Sequence, residues 1–342
     1  MVDKDDFLEG LKGLSLDQQW QAVYDLFPDP DVFVPKFLKI VDKGAKIRPL
    51  EWNIPQQRLN AVLKGLEKEG KPNWLIVLKS RREGVSTWTE AKIFERVLRL
   101  RNRNGIVIAH KAKAATAIFR MARRFYDLLP YRPPLTYSNR TELVFATPHE
   151  STMEIESAED REAGRGSEYH FVHASEVAFY PDAERTMLSV LQTVPIGEQT
   201  MVVLESTANG AAGYFYDTWI AAMNGENEFT PIFLPWHVDP DCAMDCSEGE
   251  ARDLLKDLSE EEEKGLDTWD WTPQQIKWRR FTLRNKCRGD LDQFKQEYPA
   301  SWEEAFLVSG RPVFDPSLVH RLLKNLDAVP ACGVLITQAE AV

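Results

Sequence analysis

The chain has 342 residues, 43% of them apolar and 28% charged, with a formal net charge of −11. That balance suits a globular protein of one large or two moderate domains, and no apolar run approaches membrane-spanning length. The acidic start M-V-D-K-D-D does not match a secretory signal, and four cysteines (Cys242, Cys246, Cys287, Cys332) are too few for a disulfide framework, so a cytosolic protein with free thiols is expected.

Cys242 and Cys246, with His237 nearby, have a spacing that invites a zinc reading, but only one further cysteine lies within reach in sequence. Charge is uneven along the chain. Between Lys79 and Arg132, fourteen Lys or Arg stand against four acids, and between Glu248 and Asp270 ten acids stand against three bases. A basic face on an acidic protein fits a polyanion partner, whereas the acidic run S-E-E-E-E-K reads as a solvated helix face.

Residues 1–50 read as a helical lead: L-S-L-D-Q-Q-W-Q-A-V-Y-D-L-F has helical spacing and is expected to end at Pro28 and Pro30. A proline-started helix follows around Leu50 to Leu63. Its Gln56 or Gln57 could pair with the edge of an adenine, or both could be solvated in a first helical turn. Trp74 to Leu78 forms a short apolar run suited to a buried parallel strand, and a polar loop with one glycine comes next. From Trp88 to Arg101 the apolar residues Ile93, Phe94, Val97 and Leu98 mark one helical face, with charges expected on the other. G-I-V-I-A-H reads as a second strand, and Ala114 to Leu129 as a long amphipathic helix. Further strands are expected at Leu143 to Ala146, Met153 to Ser157, Tyr169 to His173, Met201 to Glu205 and Ile232 to Leu234. This is an α/β core over residues 51–236 with a parallel sheet, leaving residues 237–342 for a smaller C-terminal part.

A strand, a tight loop and a helix start are the setting in which backbone N–H groups and the helix dipole hold a phosphate. The loop K-S-R-R-E-G-V-S-T departs from the usual G-x-x-x-x-G-K-[ST]. Gly84 fits the second glycine and Ser86 the hydroxyl that meets magnesium, but Ser80 holds the first glycine position and Val85 that of the lysine. The cation must then come from Lys79, Arg81 or Arg82, and Glu83 is expected to turn toward solvent or a basic group.

Three constellations follow. In F-V-H-A-S-E a strand runs into Ser175 and Glu176, where an acid could orient an attacking water and assist magnesium; an ordinary strand-end Glu is the plain alternative. G-R-G places Arg165 on a flexible loop, free to reach a neighbouring site or to pair with Glu159 or Glu162. A third strand ends in Ser206, Thr207 and Asn209, which could sense a γ-phosphate or form a turn.

Taken in order, these motifs resemble the ATPase domain of the large terminase subunit of tailed double-stranded DNA bacteriophages, over roughly residues 50 to 316. Within the resemblance, K-S-R-R-E-G-V-S-T looks like a deviant Walker A with Lys79 as phosphate lysine, Arg81 and Arg82 assisting, and Ser80, Gly84, Ser86 and Thr87 lining the nucleotide. V-H-A-S-E-V-A is similar to a Walker B with Glu176 as catalytic carboxylate; Ser175 stands where an Asp is usual. S-T-A-N-G looks like the coupling motif and G-R-G like the loop that sends an arginine into the next subunit. The stretch from Phe294 to Asp315 is similar to the segment closing the ATPase region.

The resemblance implies an ASCE-type P-loop ATPase fold, mostly parallel sheet flanked by helices, with a small lid built from both chain ends. It implies ATP and Mg2+ held by Ser86, Ser175 and Glu176. It further implies double-stranded DNA, the portal protein and a small terminase subunit as partners, a homo-oligomeric ring, and action in the host cell cytoplasm away from membranes. Only 27 residues follow Asp315, so a nuclease half is not expected in this chain. A helicase-like translocase, or a nucleotide-independent assembly module with a decayed P-loop, are the other readings of the same residues.

Overall fold

A computed structural model describes residues 10, 12–42, 44–130, 132–147, 149–160, 162–195, 197 and 199–307. Cys332 and the closing stretch from residue 308 to Asp315 lie outside the described residues. The chain begins with α1 (Leu16–Leu26) and α2 (Pro30–Phe37). The first helix stops at Leu26, just ahead of Pro28 as expected, and Pro30 then starts a second helix. Asp29 caps it by accepting from the Asp31 N–H, and a proline in the first turn has no amide to waste. A short antiparallel hairpin, β1 (Lys39–Val41) and β2 (Ile47–Pro49), then interrupts the expected helical run. In α3 (Ile54–Glu69), Asn53 and Gln56 form a reciprocal capping box at the start and Gly70 closes the end in the left-handed region.

The centre is an eight-stranded sheet. Along the chain come β3 (Asn73–Lys79), α4 (Val85–Arg99), β4 (Asn104–Ala109) and α5 (Ala112–Asp127). Next are β5 (Leu135–Ser138), β6 (Glu142–Phe145), β7 (Thr152–Ser157) and β8 (Phe171–Ser175). Then follow α6 (Ala183–Gln192), β9 (Met201–Ser206), α7 (Tyr214–Asn224) and β10 (Thr230–Leu234). Their spatial order is β10-β3-β9-β8-β4-β7-β6-β5. All pairs from β10 to β7 are parallel, and β6 and β5 continue antiparallel at one edge. One strand, β9, therefore stands between β3, which feeds the loop, and β8, which feeds Glu176. This is the mostly parallel α/β sheet, flanked by helices, that the sequence leads one to expect.

Alternation along the strands separates two cores. Leu75, Val77, Val107, Phe171 and Val203 face one side, where α3, α4, α5 and the N-terminal helices pack. Ile76, Leu78, Ile106, Val172 and Leu204 face the other, under α7 and the last described helix, α12 (Trp302–Leu307). The amphipathic picture of α4 needs correction: Glu90, Lys92 and Glu95 are as buried as Ile93 and Phe94. The N-terminal helices cover the outer side of α4, and its charges are matched locally, Lys92 to Asp31 at 2.7 Å and Glu90 to His173 at 2.7 Å.

Between β10 and α12 lie α8 (Glu248–Leu254), α9 (Glu260–Trp269), α10 (Pro273–Asn285) and α11 (Leu291–Glu297). They surround a third cluster built on Trp236, Trp271, Trp278, Phe294 and Tyr298, in which Trp236 and Trp278 stack with centroids 5.1 Å apart. Cys242 and Cys287 are buried in it and form no disulfide. The described parts of the two chain ends thus sit in separate clusters and do not share one core. Among the described residues no helix is long and apolar enough to cross a membrane.

Gly105 on β4 marks how closely α4 meets the sheet: a Cβ there would lie 2.8 Å from Ile93 Cγ2 and 3.5 Å from Val97 Cγ2. Gly105→Ala should therefore destabilise the chain by about 1–3 kcal/mol through overpacking, read from the urea midpoint at an unchanged m-value.

Candidate active site

The carboxyl ends of β3, β8 and β9 meet at the N-terminus of α4, the side of an open α/β sheet on which ligands bind. Period-two alternation puts Val77 and Lys79, His173 and Ser175, and Val203 and Glu205 on the face that α4 covers. The register pairs Ser175 with Glu205 and Val77 with Glu205 across adjacent strands.

The loop between Lys79 and α4 is held from several sides. Ser80 donates from its N–H to the Leu234 carbonyl at 2.9 Å and from Oγ to the same oxygen at 3.2 Å. Arg81 is exposed and bound twice to Glu297 of α11, by its N–H to the carbonyl at 3.0 Å and by Nη1 to Oε2 at 2.7 Å. Arg82 has φ +69° and Gly84 φ +79°. Gly84 is required here, because a Cβ would also lie 2.8 Å from Gln56 Nε2. The helix it opens has no side-chain cap, so its first amides remain suited to an anion.

Lys79 is buried beneath this loop. Its Nζ lies 3.0 Å from Glu176 Oε1 and 3.0 Å from Glu205 Oε2. Burial alone would lower the lysine, but the charges of Glu205 and Glu176 overcome it and hold the ammonium well above its ordinary range. Glu205 is fully buried. Its Oε1 accepts from Ser86 Oγ at 2.7 Å and Ser175 Oγ at 2.7 Å, with His173 Nε2 at 3.3 Å. Burial would raise this carboxyl, yet Lys79 and then His173 pull it far below the usual range. His173, between Glu205 and Glu90, loses charge to burial but regains more from the two carboxylates, and is pushed up to about 9.

Glu176 is the strand-end acid expected from the sequence, and its backbone is in the left-handed region at φ +59°. A non-glycine residue in that conformation is strained and held there by its surroundings. Its Oε2 accepts from Ser206 Oγ and from the Thr207 N–H, both at 3.4 Å. Asn209 Nδ2 donates to the Ala178 carbonyl at 2.9 Å, just after Glu176. Ser206, Thr207 and Asn209 are therefore gathered around the catalytic-acid candidate.

Other expected residues have different positions. Gln56 is not free for a base: its amide nitrogen donates to the Gly84 carbonyl at 2.8 Å and its oxygen accepts from the Asn53 N–H at 3.0 Å, so the capping box consumes it. Gln57 is exposed and returns its amide to the Trp52 carbonyl at 2.8 Å. Thr87 turns its hydroxyl toward Met121 of α5, away from the site. Ser80 is spent on β10. Arg165 pairs with Glu162 at 2.8 Å within its own loop, and among the described residues it makes no contact with Lys79, Ser86 or Glu176. Glu83 does not reach solvent. It is buried, and neither carboxyl oxygen has a hydrogen-bond partner among the described residues.

Glu205, His173, Glu90, Gln296 and Glu297 also stand at the site, beyond the residues expected from the sequence. An acid inside M-V-V-L-E-S, a strand otherwise apolar on both faces, was the available signal, since such a carboxylate is almost never buried unless paired. Gln296 and Glu297 of α11 touch both sides of the site, Gln296 Nε2 donating to the Ala208 carbonyl at 3.2 Å and Glu297 holding Arg81. The basic stretch is also reduced: Lys79, Arg81, Lys92, Arg96 and Arg99 are held in internal ion pairs. Lys111, Lys113 and Arg120 of α5 stay exposed.

The donor set fits magnesium with a nucleotide polyphosphate. Ser86, Ser175, Glu176 and Glu205 offer hard oxygen ligands, a cation stands beside them, and Mg2+ ordinarily takes one or two carboxylates together with substrate phosphates.

No protein-family model matches the chain. Among solved structures it is similar to the large terminase ATPase domain of Thermus phage P74-26, at 16% identity and TM-score 0.47, covering 70% of this chain and 92% of that one. It is also similar to the bacteriophage HK97 large terminase, at 14% identity and TM-score 0.49, covering 72% of this chain and 54% of that one. The large terminase of the thermophilic bacteriophage D6E in complex with ATP-gamma-S matches at 9% identity and TM-score 0.44, covering 61% of this chain and 50% of that one. At such identities and TM-scores, what the site can do follows from its own geometry.

Burial, with the charge of Asp239 adding to it, pushes the Glu83 carboxyl up to about 9 from an ordinary value of 4.5. The folded chain therefore keeps a proton that the unfolded chain releases, and stability falls as pH rises from 4.5 toward 9. His173 adds to the fall only above 6.5. Glu90, Glu154, Glu156 and Glu304, also raised by burial, contribute in the same direction, so Glu83→Gln should reduce the downward slope below pH 6.5 and raise Tm at pH 8 by on the order of 5 °C, as followed by thermal melts across pH.

Proposed function

We propose that this chain is the ATP-hydrolysing motor domain of a viral DNA-packaging machine, driving double-stranded DNA into a procapsid. The observation that carries the reading is the buried Lys79 ammonium, 3.0 Å from both Glu176 and Glu205, under a glycine loop and an uncapped helix start. The order of the loop, Glu176 and the S-T-A-N-G motif supports the packaging assignment within that class.

In this reading Lys79 exchanges carboxylate contacts for the β- and γ-phosphates of ATP, and the amides at the start of α4 take the remaining charge. Bound magnesium supplies charge neutralisation at the phosphates, and Ser86, Ser175 and Glu176 hold it. Glu176, released from Lys79, orients the attacking water. Ser206 and Thr207 touch Glu176 directly, and Gln296 and Glu297 link α11 to both the motif and the loop. A change at the phosphates is thereby passed to α11. Lys111, Lys113 and Arg120 meet DNA phosphates without reading bases. The chain works in the host cell cytoplasm as a homo-oligomeric ring on the portal protein, with the small terminase subunit, and Arg165 completes a neighbour's site.

Glu176→Gln should lower Mg-dependent ATP hydrolysis by about 10²–10⁴-fold while nucleotide still binds; undiminished turnover would remove Glu176 from the mechanism. Lys79→Ala should weaken binding of a fluorescent ATP analogue, and unaltered affinity would move the role to Arg81 or Arg82. An Arg165→Ala protein mixed with a Glu176→Gln protein should regain activity if Arg165 acts between subunits; no recovery at any ratio makes it a surface arginine paired with Glu162. Purified protein without any ATPase activity would favour a nucleotide-independent assembly module.

A further inference from the structure

Resting on the nucleotide reading above, we propose that Glu205 of β9 supplies the magnesium-site carboxylate that Ser175 does not provide at the end of β8. In P-loop NTPases the loop hydroxyl shares magnesium with an acid at the end of a neighbouring strand. Here the position before Glu176 is a serine, so one charge is missing from the expected donor set. Glu205 is its register partner on the adjacent strand and emerges on the same face. Its Oε1 is 2.7 Å from Ser175 Oγ and 2.7 Å from Ser86 Oγ, the hydroxyl that opens α4. A carboxylate from β9 therefore stands between the two hydroxyls where one from β8 would reach.

Its cost supports a function. Glu205, His173 and Glu90 are fully buried in a face otherwise made of Val77, Val107, Val203 and similar residues. Apolar side chains of like volume would serve stability as well or better. A pure counter-ion for Lys79 would not need two hydroxyls converging on its other oxygen, and Glu176 already gives Lys79 a carboxylate. Two hydroxyls and a carboxylate beside the phosphate-binding helix start are the oxygen ligands that magnesium, keeping part of its water, accepts. The charge has moved one strand sideways and remains over the same point of the sheet.

The test separates metal dependence from nucleotide binding itself. Wild type and Glu205→Gln are titrated with a fluorescent ATP analogue in EDTA and then against rising MgCl2, and Mn2+ bound with a non-hydrolysable nucleotide is counted by electron paramagnetic resonance. Glu205→Gln should still bind the analogue in EDTA, yet need about 10–100-fold more Mg2+ to reach its own metal-saturated affinity, with a matching loss of bound Mn2+. The double variant Ser175→Asp with Glu205→Ser, which returns the charge to β8, should bring the Mg2+ midpoint back toward wild type. A wild-type midpoint in Glu205→Gln overturns the proposal and leaves the ATPase reading intact. If circular dichroism shows Glu205→Gln to be unfolded, Glu205→Asp takes its place, and an unmoved midpoint there overturns the proposal equally. Wild-type protein that binds no nucleotide under any condition removes both.

Discussion

Much of this structure depends on one buried ammonium held between two carboxylates. Lys79 reaches Glu176 and Glu205, each at 3.0 Å, from the end of the strand that lies against β9. Removing one partner from such a group leaves charge uncompensated in a poor solvent, at a cost of about 3–5 kcal/mol. The three strands must therefore end level with each other, and the parallel register from β3 through β9 to β8 brings this about.

Behind this triad the face under α4 is unusually polar. Glu205 touches His173, and His173 touches Glu90, all without exposure to water. Every charge in the chain of contacts has an opposite neighbour, which is the condition for a buried polar network to hold. It also explains why α4 is enclosed on all sides. Its sheet-facing surface carries Glu90 to the site, and its outer surface is sealed by the N-terminal helices through Lys92 and Asp31. The lead segment thus contributes to the site indirectly, by keeping water from the helix that presents Ser86.

The same site is bound to the C-terminal helices at two points. Arg81 ties the loop to Glu297 and Ala208 accepts from Gln296, so adjacent residues of α11 hold both the loop before α4 and the segment that contacts Glu176. The α11 helix packs Phe294 into the separate tryptophan-rich cluster, so these two contacts join the strand ends to that cluster.

How much of this was readable beforehand varies by residue. The apolar runs at Trp74 to Leu78 and Met201 to Glu205, the glycine before a helix and the Ser-Glu at a strand end sufficed for a parallel α/β sheet and for placing Lys79, Ser86 and Glu176 at strand ends and a helix start, because local spacing determines strand faces and helix starts. The hairpin at β1 and β2 and the second helix at Pro30 escaped because short elements carry little periodic signal. Gln56 illustrates the opposite difficulty: its amide has suitable chemistry, and only the folded chain shows it spent on Gly84. For Glu205 the sequence shows an acid in an apolar strand, but its partners could be recognised only from tertiary structure. Its meaning lies in Ser175, Ser86 and Lys79, which are between 30 and 126 positions away in sequence, and no local pattern records that three strand ends and one helix start meet there.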